Sequence, residues 1–163
     1  MPHTLAFTCR RCGHCCHGEG GIVMSRGDIT RLAAHLQMEP DAMLARYAHF
    51  VSGKYRLTTG PDGYCVFYAE GCGVHPGRPD VCRAWPYFRG NIIDAGSHAM
   101  AIEDCPGINR EVSHAEFARQ GREYLARHGL SRARGEDVPE ALADVAPEQT
   151  EDTEDGPSGF HAP

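Results

Sequence analysis

Apolar residues recur at helical spacing in two neighbouring stretches of the chain. In the first stretch the spacing is i, i+3, i+4, i+7: Ile29, Leu32, Ala33 and Leu36. The second stretch begins near Pro40 and repeats the spacing: Leu44, Tyr47, Ala48 and Val51. One apolar stripe on each stretch predicts a pair of helices, over 26–37 and from Pro40 onward, that face a common core.

Short apolar runs bounded by turn residues predict strands. GIVMS, at 21–25, predicts one short strand. YRLTT at 55–59 and YCVFYAE at 64–70 flank GPDG at 60–63, where Pro, Asp and Gly suit a tight turn. We therefore expect a β-hairpin that places Cys65 near the start of its second strand.

The last predicted helix has the clearest boundaries. Ser113 and Glu116 form the pattern of a capping box at its start, and Gly129 stands where a helix ends. Its apolar face carries three residues: Phe117, Tyr124 and Leu125. A shorter helical turn is predicted over 79–84, opened by Pro79. Together these patterns predict a small α+β domain, rich in loops, with a helical pair, a β-hairpin and a C-terminal helix.

Charge is distributed unevenly along the 163 residues. Residues 135–163 hold nine acidic residues and no Lys or Arg, whereas residues 1–134 carry sixteen basic and thirteen acidic groups. The acidic segment has few large apolar side chains, so we expect a disordered acidic tail over 131–163 and a folded domain over 3–130. The folded part has no basic stripe that would favour nucleic acid. No apolar run is long enough to cross a membrane.

Four of the eight cysteines fall within the stretch FTCRRCGHCC at 7–16. Three of them are spaced C-x2-C-x2-C, which lets one tight turn direct successive thiolates toward a common point. Zinc knuckles use the two-cysteine version, and iron–sulfur proteins combine three with a distant cysteine followed by proline. Cys105 is followed by Pro106, so such a partner is present. The predicted metal ligands are all eight cysteines: Cys9, Cys12, Cys15, Cys16, Cys65, Cys72, Cys82 and Cys105.

The adjacent pair Cys15 and Cys16 is not expected to chelate a single ion, because neighbouring side chains tend to point apart. Eight cysteines suffice for two tetrathiolate sites, and one four-ligand centre with spare thiols fits as well. Four thiolates leave net negative charge on a centre, so we expect Arg78 and Arg83, on either side of Cys82, to donate charge-assisted hydrogen bonds to sulfur. Three nearby histidines are expected to lie beside the centre or in solvent rather than to bind metal: His14, His17 and His75.

A disulfide scaffold is the main alternative for eight cysteines. No basic segment followed by an apolar run precedes the cluster, so we expect no secretory signal and a cytoplasmic location. In that compartment disulfides are rare and clustered cysteines more often hold metal. A radical S-adenosylmethionine cluster would need C-x3-C-x2-C. Cys12 and Cys16 supply the first gap, but Glu19 occupies the last position.

The order of these motifs resembles the YkgJ-type cysteine-cluster proteins, which carry a CxxCxxCC signature. The matching elements run from residue 7 to residue 108: FTCRRCGHCC, GDITRLAAHL, GYCVFYAEGCGVHPGRPDVCRAWPYF and DCPGI. RPDVCRAWP is similar to the family's RPxxCRxFP element, with Trp85 at the aromatic position, and every cysteine falls on a family cysteine. The resemblance implies a zinc- or iron-chelating domain of a cytoplasmic, bacterial-type protein. The helix from Ser113 and the acidic tail lie outside it.

Three functions fit a cysteine-cluster metal-binding domain over 3–130. An iron–sulfur protein with a redox or electron-transfer role is favoured, because three cysteines at two-residue gaps exceed what a zinc knuckle needs. A zinc-stabilised, non-catalytic binding module requires the same thiols. A metal-dependent enzyme of unknown substrate would need an open coordination position and a nearby acid or base. Candidates for that acid or base are His17, Glu19, Glu103 and Asp104. The expected partner in every case is the metal ion or cluster, and the sequence leaves open which protein partner, if any, it has.

Overall fold

Six α-helices and a three-stranded antiparallel sheet make up the described part of the chain, residues 3–18, 21–135 and 137–144, in the computed structural model. The helices are α1 (Arg26–His35), α2 (Pro40–Tyr47), α3 (Asp80–Ala84), α4 (Arg89–Ile93), α5 (Ala95–Asp104) and α6 (His114–Arg127). The strands are β1 (Val23–Met24), β2 (Ala48–Val51) and β3 (Lys54–Leu57), in the order β1-β3-β2. Short 3₁₀ turns also form at His14–Cys16, His75–Gly77 and Glu140–Leu142. This architecture confirms the predicted α+β class.

The helical pair α1–α2 forms where the sequence supplies good helix starts. The Ser25 hydroxyl accepts from the Asp28 N–H at 3.1 Å, and the Asp28 carboxylate accepts from the Ser25 N–H at 2.9 Å. This reciprocal capping box provides acceptors for two backbone N–H groups that have no hydrogen-bond partner within the helix. Pro40 occupies the first position of α2, as predicted. The pair packs with the sheet around the smaller of two cores: Met24, Leu32, Ala33, Met43, Leu57 and Val74.

The second helix ends at Tyr47, so the prediction that its stripe continues to Val51 was wrong. Residues 48–51 instead form β2, which pairs antiparallel with β3. Ser52 and Gly53 have φ angles of +52° and +76°. Two successive positive φ angles are the mark of a two-residue hairpin turn whose twist matches that of the strands.

The prediction of a β-hairpin around GPDG was wrong, because β3 pairs with β2 and not with residues 64–70. A turn does form there, with Gly63 N–H donating to the Gly60 carbonyl at 3.0 Å. The residues after it do not continue as a strand, and Cys65 pairs with Thr59 only as an isolated bridge. The backbone instead turns at 65–68, where Tyr68 N–H donates to the Cys65 carbonyl at 2.8 Å.

The second half of the chain packs around a larger core in which α6 is central. Ser113 accepts from the Glu116 N–H at 3.2 Å, as predicted, while the Glu116 carboxylate pairs with Arg119. Gly129 has a φ of +62° and lets the chain leave the helix. Helices α4 and α5 were not predicted, and Asp94 caps α5. The core is this set: Ala6, Val81, Ala84, Tyr87, Ile92, Ala101, Cys105, Ile108, Phe117, Ala118, Leu125, Leu130 and Leu142.

Val138 and Leu142 pack onto this core, within the part of the chain over 131–163 for which disorder is expected. Leu142 is buried, and Arg132 N–H donates to its carbonyl at 3.1 Å. The Asp137 carboxylate accepts from the Arg26 N–H at the start of α1 at 3.1 Å. These apolar and capping contacts order a segment that its composition alone did not favour. Residues 145–163 of the predicted tail lie outside the described residues. None of the helices in the described ranges has the length and apolar character needed to span a membrane.

Candidate metal centre

The first cysteine segment is held against the middle of the chain by backbone hydrogen bonds. Cys65 N–H donates to the Cys16 carbonyl at 2.7 Å, and the neighbouring residues His17 and Tyr64 form an antiparallel bridge. Cys72 lies opposite Tyr68 in another bridge. Cys65 and Cys72 thereby lie close to the His14–Cys16 turn, although they are distant from it in sequence.

A second set of bonds joins the same segment to the Cys105–Pro106 region. Thr8 N–H donates to the Gly107 carbonyl, and Asn109 N–H donates to the Ala6 carbonyl, both at 2.9 Å. The His14 side chain adds a hydrogen bond from Nδ1 to the Asp104 carbonyl at 2.8 Å. The distant Cys-Pro element is thus beside the C-x2-C-x2-C motif, although the Cys105 side chain belongs to the larger core.

Six of the eight predicted ligands line one cavity of about 310 Å³. They are Cys9, Cys15, Cys16, Cys65, Cys72 and Cys82. The other two do not line this cavity: Cys12 is exposed, and Cys105 is only 6% exposed inside the larger core. All eight are free thiols, so the disulfide alternative does not describe this structure. We call the space lined by the six cysteines the thiol cavity.

The donor chemistry of the thiol cavity fits a thiophilic metal. Thiolate sulfur is the preferred ligand of zinc and of iron–sulfur clusters. Within the described ranges, no group of three or more His, Cys, Asp or Glu side chains stands ready to hold an ion. The thiols therefore converge on a shared space without a preformed coordination geometry. The remaining wall is largely apolar and includes Phe7, Ile22, Leu57, Val74 and Trp85.

The adjacent cysteines share one proton. A hydrogen bond from the Cys16 thiol lowers the pKa of Cys15 to about 6, against an opposing effect of burial, and the charge of Arg78 lowers it further. The pKa of Cys16 is raised, first because its proton is held in that bond and then by burial. Cys15 is thus the thiolate of the pair at neutral pH, and Cys16 is the thiol.

Burial acts in the opposite direction on the thiols across the cavity. It raises the pKa of Cys65, and it raises that of Cys82 well above its usual value. Although the Cys82 residue is partly exposed, its sulfur is surrounded by protein, and this burial is what raises its pKa. Nearby thiols raise the pKa of Cys82 further, while the charge of Arg78 lowers it. A bound cation would replace the protons that burial otherwise keeps on these sulfurs.

Arg78 and Arg83, which were expected to donate hydrogen bonds to sulfur, both line the thiol cavity, and the hydrogen bonds shown for their guanidinium groups go to His75 and Asp80. Arg78 Nη1 donates to the His75 carbonyl at 2.6 Å and lies 3.2 Å from Nδ1 of the same residue. Arg83 Nη1 donates to a carboxylate oxygen of Asp80 at 3.0 Å. Each guanidinium is therefore held by another residue, with its positive charge beside the thiols. Arg11 also lines the cavity.

The carboxylate of Asp80 forms an ion-pair network that sequence analysis missed. One oxygen accepts from Arg31 at 2.9 Å and from Arg83, and the other accepts from Arg132 at 2.8 Å. Asp28 completes the network, because its carboxylate accepts from Arg31 at 2.6 Å and from the Asp80 N–H at 2.9 Å. The i, i+3 pairs within α1 and α3 were available as a local signal. The contact with Arg132 has no local signature.

The turn between Cys12 and Cys15 depends on a glycine. Gly13 has a φ of +81°, and a Cβ there would collide with the ring of Tyr68. Cys16 N–H closes the turn by donating to the Gly13 carbonyl at 2.9 Å. Only a residue without a side chain fits both the dihedral angle and the contact.

Two of the residues considered as an acid or base, His17 and Glu103, have other side-chain partners. The His17 ring packs edge to face against Tyr64, with 4.8 Å between the ring centroids. Glu103 forms an ion pair with Arg110 at 2.9 Å. Asp104 ends α5, and its carbonyl accepts from His14. Glu19 lies outside the described residues.

The fold and the thiol cavity define a small α+β metal-binding domain built around cysteine. The chain belongs to the CxxCxxCC family, described as a "Putative zinc- or iron-chelating domain", whose sequence model matches residues 8–110. The family assignment confirms the predicted resemblance to cysteine-cluster proteins and supports metal binding. Zinc or an iron–sulfur centre fits this domain as its cofactor.

A curated relative extends the comparison to an archaeon. The chain is similar to an "Uncharacterized protein MJ0661" of Methanocaldococcus jannaschii, with 29% identity over 86 residues. The match covers 51% of this chain and 46% of the relative, so the chain spans less than half the length of that protein. No solved structure matches the chain.

Proposed function

We propose that the thiol cavity holds an iron–sulfur centre that gives the protein a redox or electron-transfer role in the cytoplasm. The supporting observation is the convergence of six free thiols, from three separate segments of the chain, on one cavity. The C-x2-C-x2-C spacing with a distant Cys-Pro, joined by backbone bonds, favours iron–sulfur chemistry over a simple zinc knuckle. When bound, the centre would supply a one-electron couple.

The proposed ligands come from the cavity thiols, with Cys12 and Cys105 as further candidates from the same motifs. Cys15 contributes a sulfur that is already a thiolate at neutral pH. Cys16, Cys65 and Cys82 have raised pKa values and would release protons when they bind. Loading of the metal-free protein is therefore expected to acidify an unbuffered solution.

The arginines have a separate proposed role. Arg78 and Arg83 place positive charge at a cavity that would hold a net anionic centre, with Arg11 nearby. Positive charge and hydrogen bonds near sulfur raise the reduction potential of a cluster.

A zinc-stabilised, non-catalytic module is the second proposal, because the same free thiols form tetrathiolate zinc sites. In that form the metal would contribute folding free energy without redox chemistry. The two proposals differ in what chelator-treated protein needs in order to regain cooperative unfolding. Zinc alone restores it under the second proposal, and iron with sulfide restores it under the first.

The direct test is expression with iron supplied, followed by purification without oxygen. The proposal expects iron and acid-labile sulfide in the protein, and a brown absorbance that bleaches on reduction. Cys82→Ser should lower the iron content, because it removes a cavity thiol, and Cys12→Ser asks whether the motif thiol that does not line the cavity is also a ligand. A colourless preparation that contains only zinc would remove the iron–sulfur proposal and leave the second.

A further inference from the structure

A second cavity of about 560 Å³ adjoins the thiol cavity. The two cavities share four wall residues: Ile22, Trp85 and the thiol-bearing Cys15 and Cys82. A molecule in the second cavity would therefore lie beside the same two cysteines. Its volume is in the range of small-molecule sites, roughly 300–1,000 Å³.

Three aromatic rings line the second cavity, and each is fixed by a ring contact. Trp85 and Phe88 meet edge to face at 5.1 Å between centroids. Tyr64 is stacked on Tyr68 at 4.2 Å and is met edge-on by His17. Rings held in this way offer flat, apolar surfaces at little entropic cost, which suits a planar ligand.

The same cavity contains an imidazole with a defined orientation. Nδ1 of His14 lies 2.8 Å from the Asp104 carbonyl, and a carbonyl oxygen only accepts, so Nδ1 carries the hydrogen. In the neutral ring, Nε2 is then the acceptor. His14 lines the second cavity and not the thiol cavity. The aromatic walls thus surround a space that includes a ready hydrogen-bond acceptor.

We propose that the second cavity binds a small planar aromatic molecule that carries an O–H or N–H donor. Its ring packs against Trp85, Phe88 and Tyr64, and its donor bonds to Nε2 of His14. A ligand bound there lies next to Cys15 and Cys82. The inference goes beyond the proposed iron–sulfur function and does not depend on which metal the thiols hold.

The chain contains a single tryptophan, which gives the test a specific reporter. Trp85 yields one indole N–H signal in a ¹⁵N correlation spectrum. The probes are phenol, anisole and cyclohexanol, added to the full-length, zinc-loaded protein at neutral pH. Phenol has both ring and donor, anisole lacks the donor, and cyclohexanol lacks the ring. Phenol should shift the Trp85 signal saturably, with an affinity about three- to tenfold above that of anisole, as one hydrogen bond provides. Cyclohexanol should bind more weakly than phenol.

Two variants locate the binding, because both residues line only the second cavity. His14→Phe keeps a ring but removes the acceptor, so phenol and anisole should then bind equally well. Phe88→Leu should weaken both aromatic probes, while the exposed His49→Ala should leave all affinities unchanged. Absence of a saturable shift, equal affinity of wild-type protein for phenol and cyclohexanol, or an unchanged phenol preference in His14→Phe would each overturn the inference. Zinc retention in those samples is measured in parallel, so that loss of the metal site is distinguished from failure of this cavity.

Discussion

Replacing Asp80 by asparagine tests whether the buried ion-pair network joins the parts of the domain around the thiol cavity. The Asp80 side chain is 3% exposed and accepts from three arginines at 2.8–3.0 Å. These arginines come from α1, from α3 and from the segment after α6. Asp80→Asn keeps the volume of the side chain but removes the charge that all three share.

The expected loss of folding stability follows from the burial of Asp80 and the partial exposure of its three arginine partners. Removing one partner of a buried ion pair typically costs about 3–5 kcal/mol, because the other charge loses its partner. Here the arginine side chains are 31–44% exposed and regain some hydration. We therefore expect the lower end, about 3 kcal/mol. In a domain of this size that corresponds to a loss of about 6–12 °C in Tm.

Urea unfolding followed by Trp85 fluorescence measures this cost, on metal-loaded and on metal-free protein. The matched control is Glu103→Gln, which breaks an exposed pair with Arg110 whose side chains are 71% and 64% exposed. An exposed pair contributes roughly 0–1 kcal/mol. If Asp80→Asn is no less stable than Glu103→Gln, the network does not hold these segments together and the reasoning fails.

Three further predictions test the site and its support. Gly13→Ala should cost at least about 1 kcal/mol and lower metal content, since its Cβ collides with Tyr68, whereas Gly129→Ala, with a similar positive φ but open space around it, should retain full metal content. Denaturant melts and metal analysis of the two variants compare them directly, and equal metal loss in both would contradict the prediction. His98 is buried, its Nε2 has no hydrogen-bond partner among the described residues, and burial lowers its pKa. The unfolded chain therefore binds a proton there more readily, and stability should fall as the pH drops through the ordinary histidine value of about 6.5. His98→Phe should flatten that fall between about pH 7 and 5 in urea titrations, and an unchanged slope would refute it. In metal-free protein, Cys15 should react with iodoacetamide at neutral pH faster than the other cavity thiols, because its pKa is lowered to about 6. Peptide mass spectrometry reads the order of labelling, and uniform labelling would argue against a thiolate at this position.

The helices with local end signals were predictable, and the non-local pairings were not. Pro40 and Ser113 mark helix starts by interactions within one turn, so sequence spacing alone identified α2 and α6. The stripe through Val51 was misleading because β2 gains its stability from pairing with β3. The Ser52–Gly53 dipeptide was a usable turn signal at this point.

In the candidate site, too, the local features were predictable from the sequence and the long-range contacts were not. The cysteine spacing predicts which residues carry the chemistry, because a short motif fixes its own turn. The spacing does not predict that Cys65, Cys72 and Cys82 line one cavity with Cys15 while Cys105 packs into the core. That arrangement depends on backbone bonds between distant segments, such as the one from Cys65 to Cys16. Long-range contacts of this kind leave no pattern in the local sequence.

X-ray absorption at the metal edge of protein loaded without oxygen tests the central claim most directly. The account predicts a stoichiometric metal whose nearest shell is sulfur, at about 2.3 Å if the metal is zinc. Sulfur contacts should decrease in Cys82→Ser, because Cys82 lines the thiol cavity. A nearest shell made only of oxygen and nitrogen, or a protein that retains no metal with all its thiols reduced, would contradict the account.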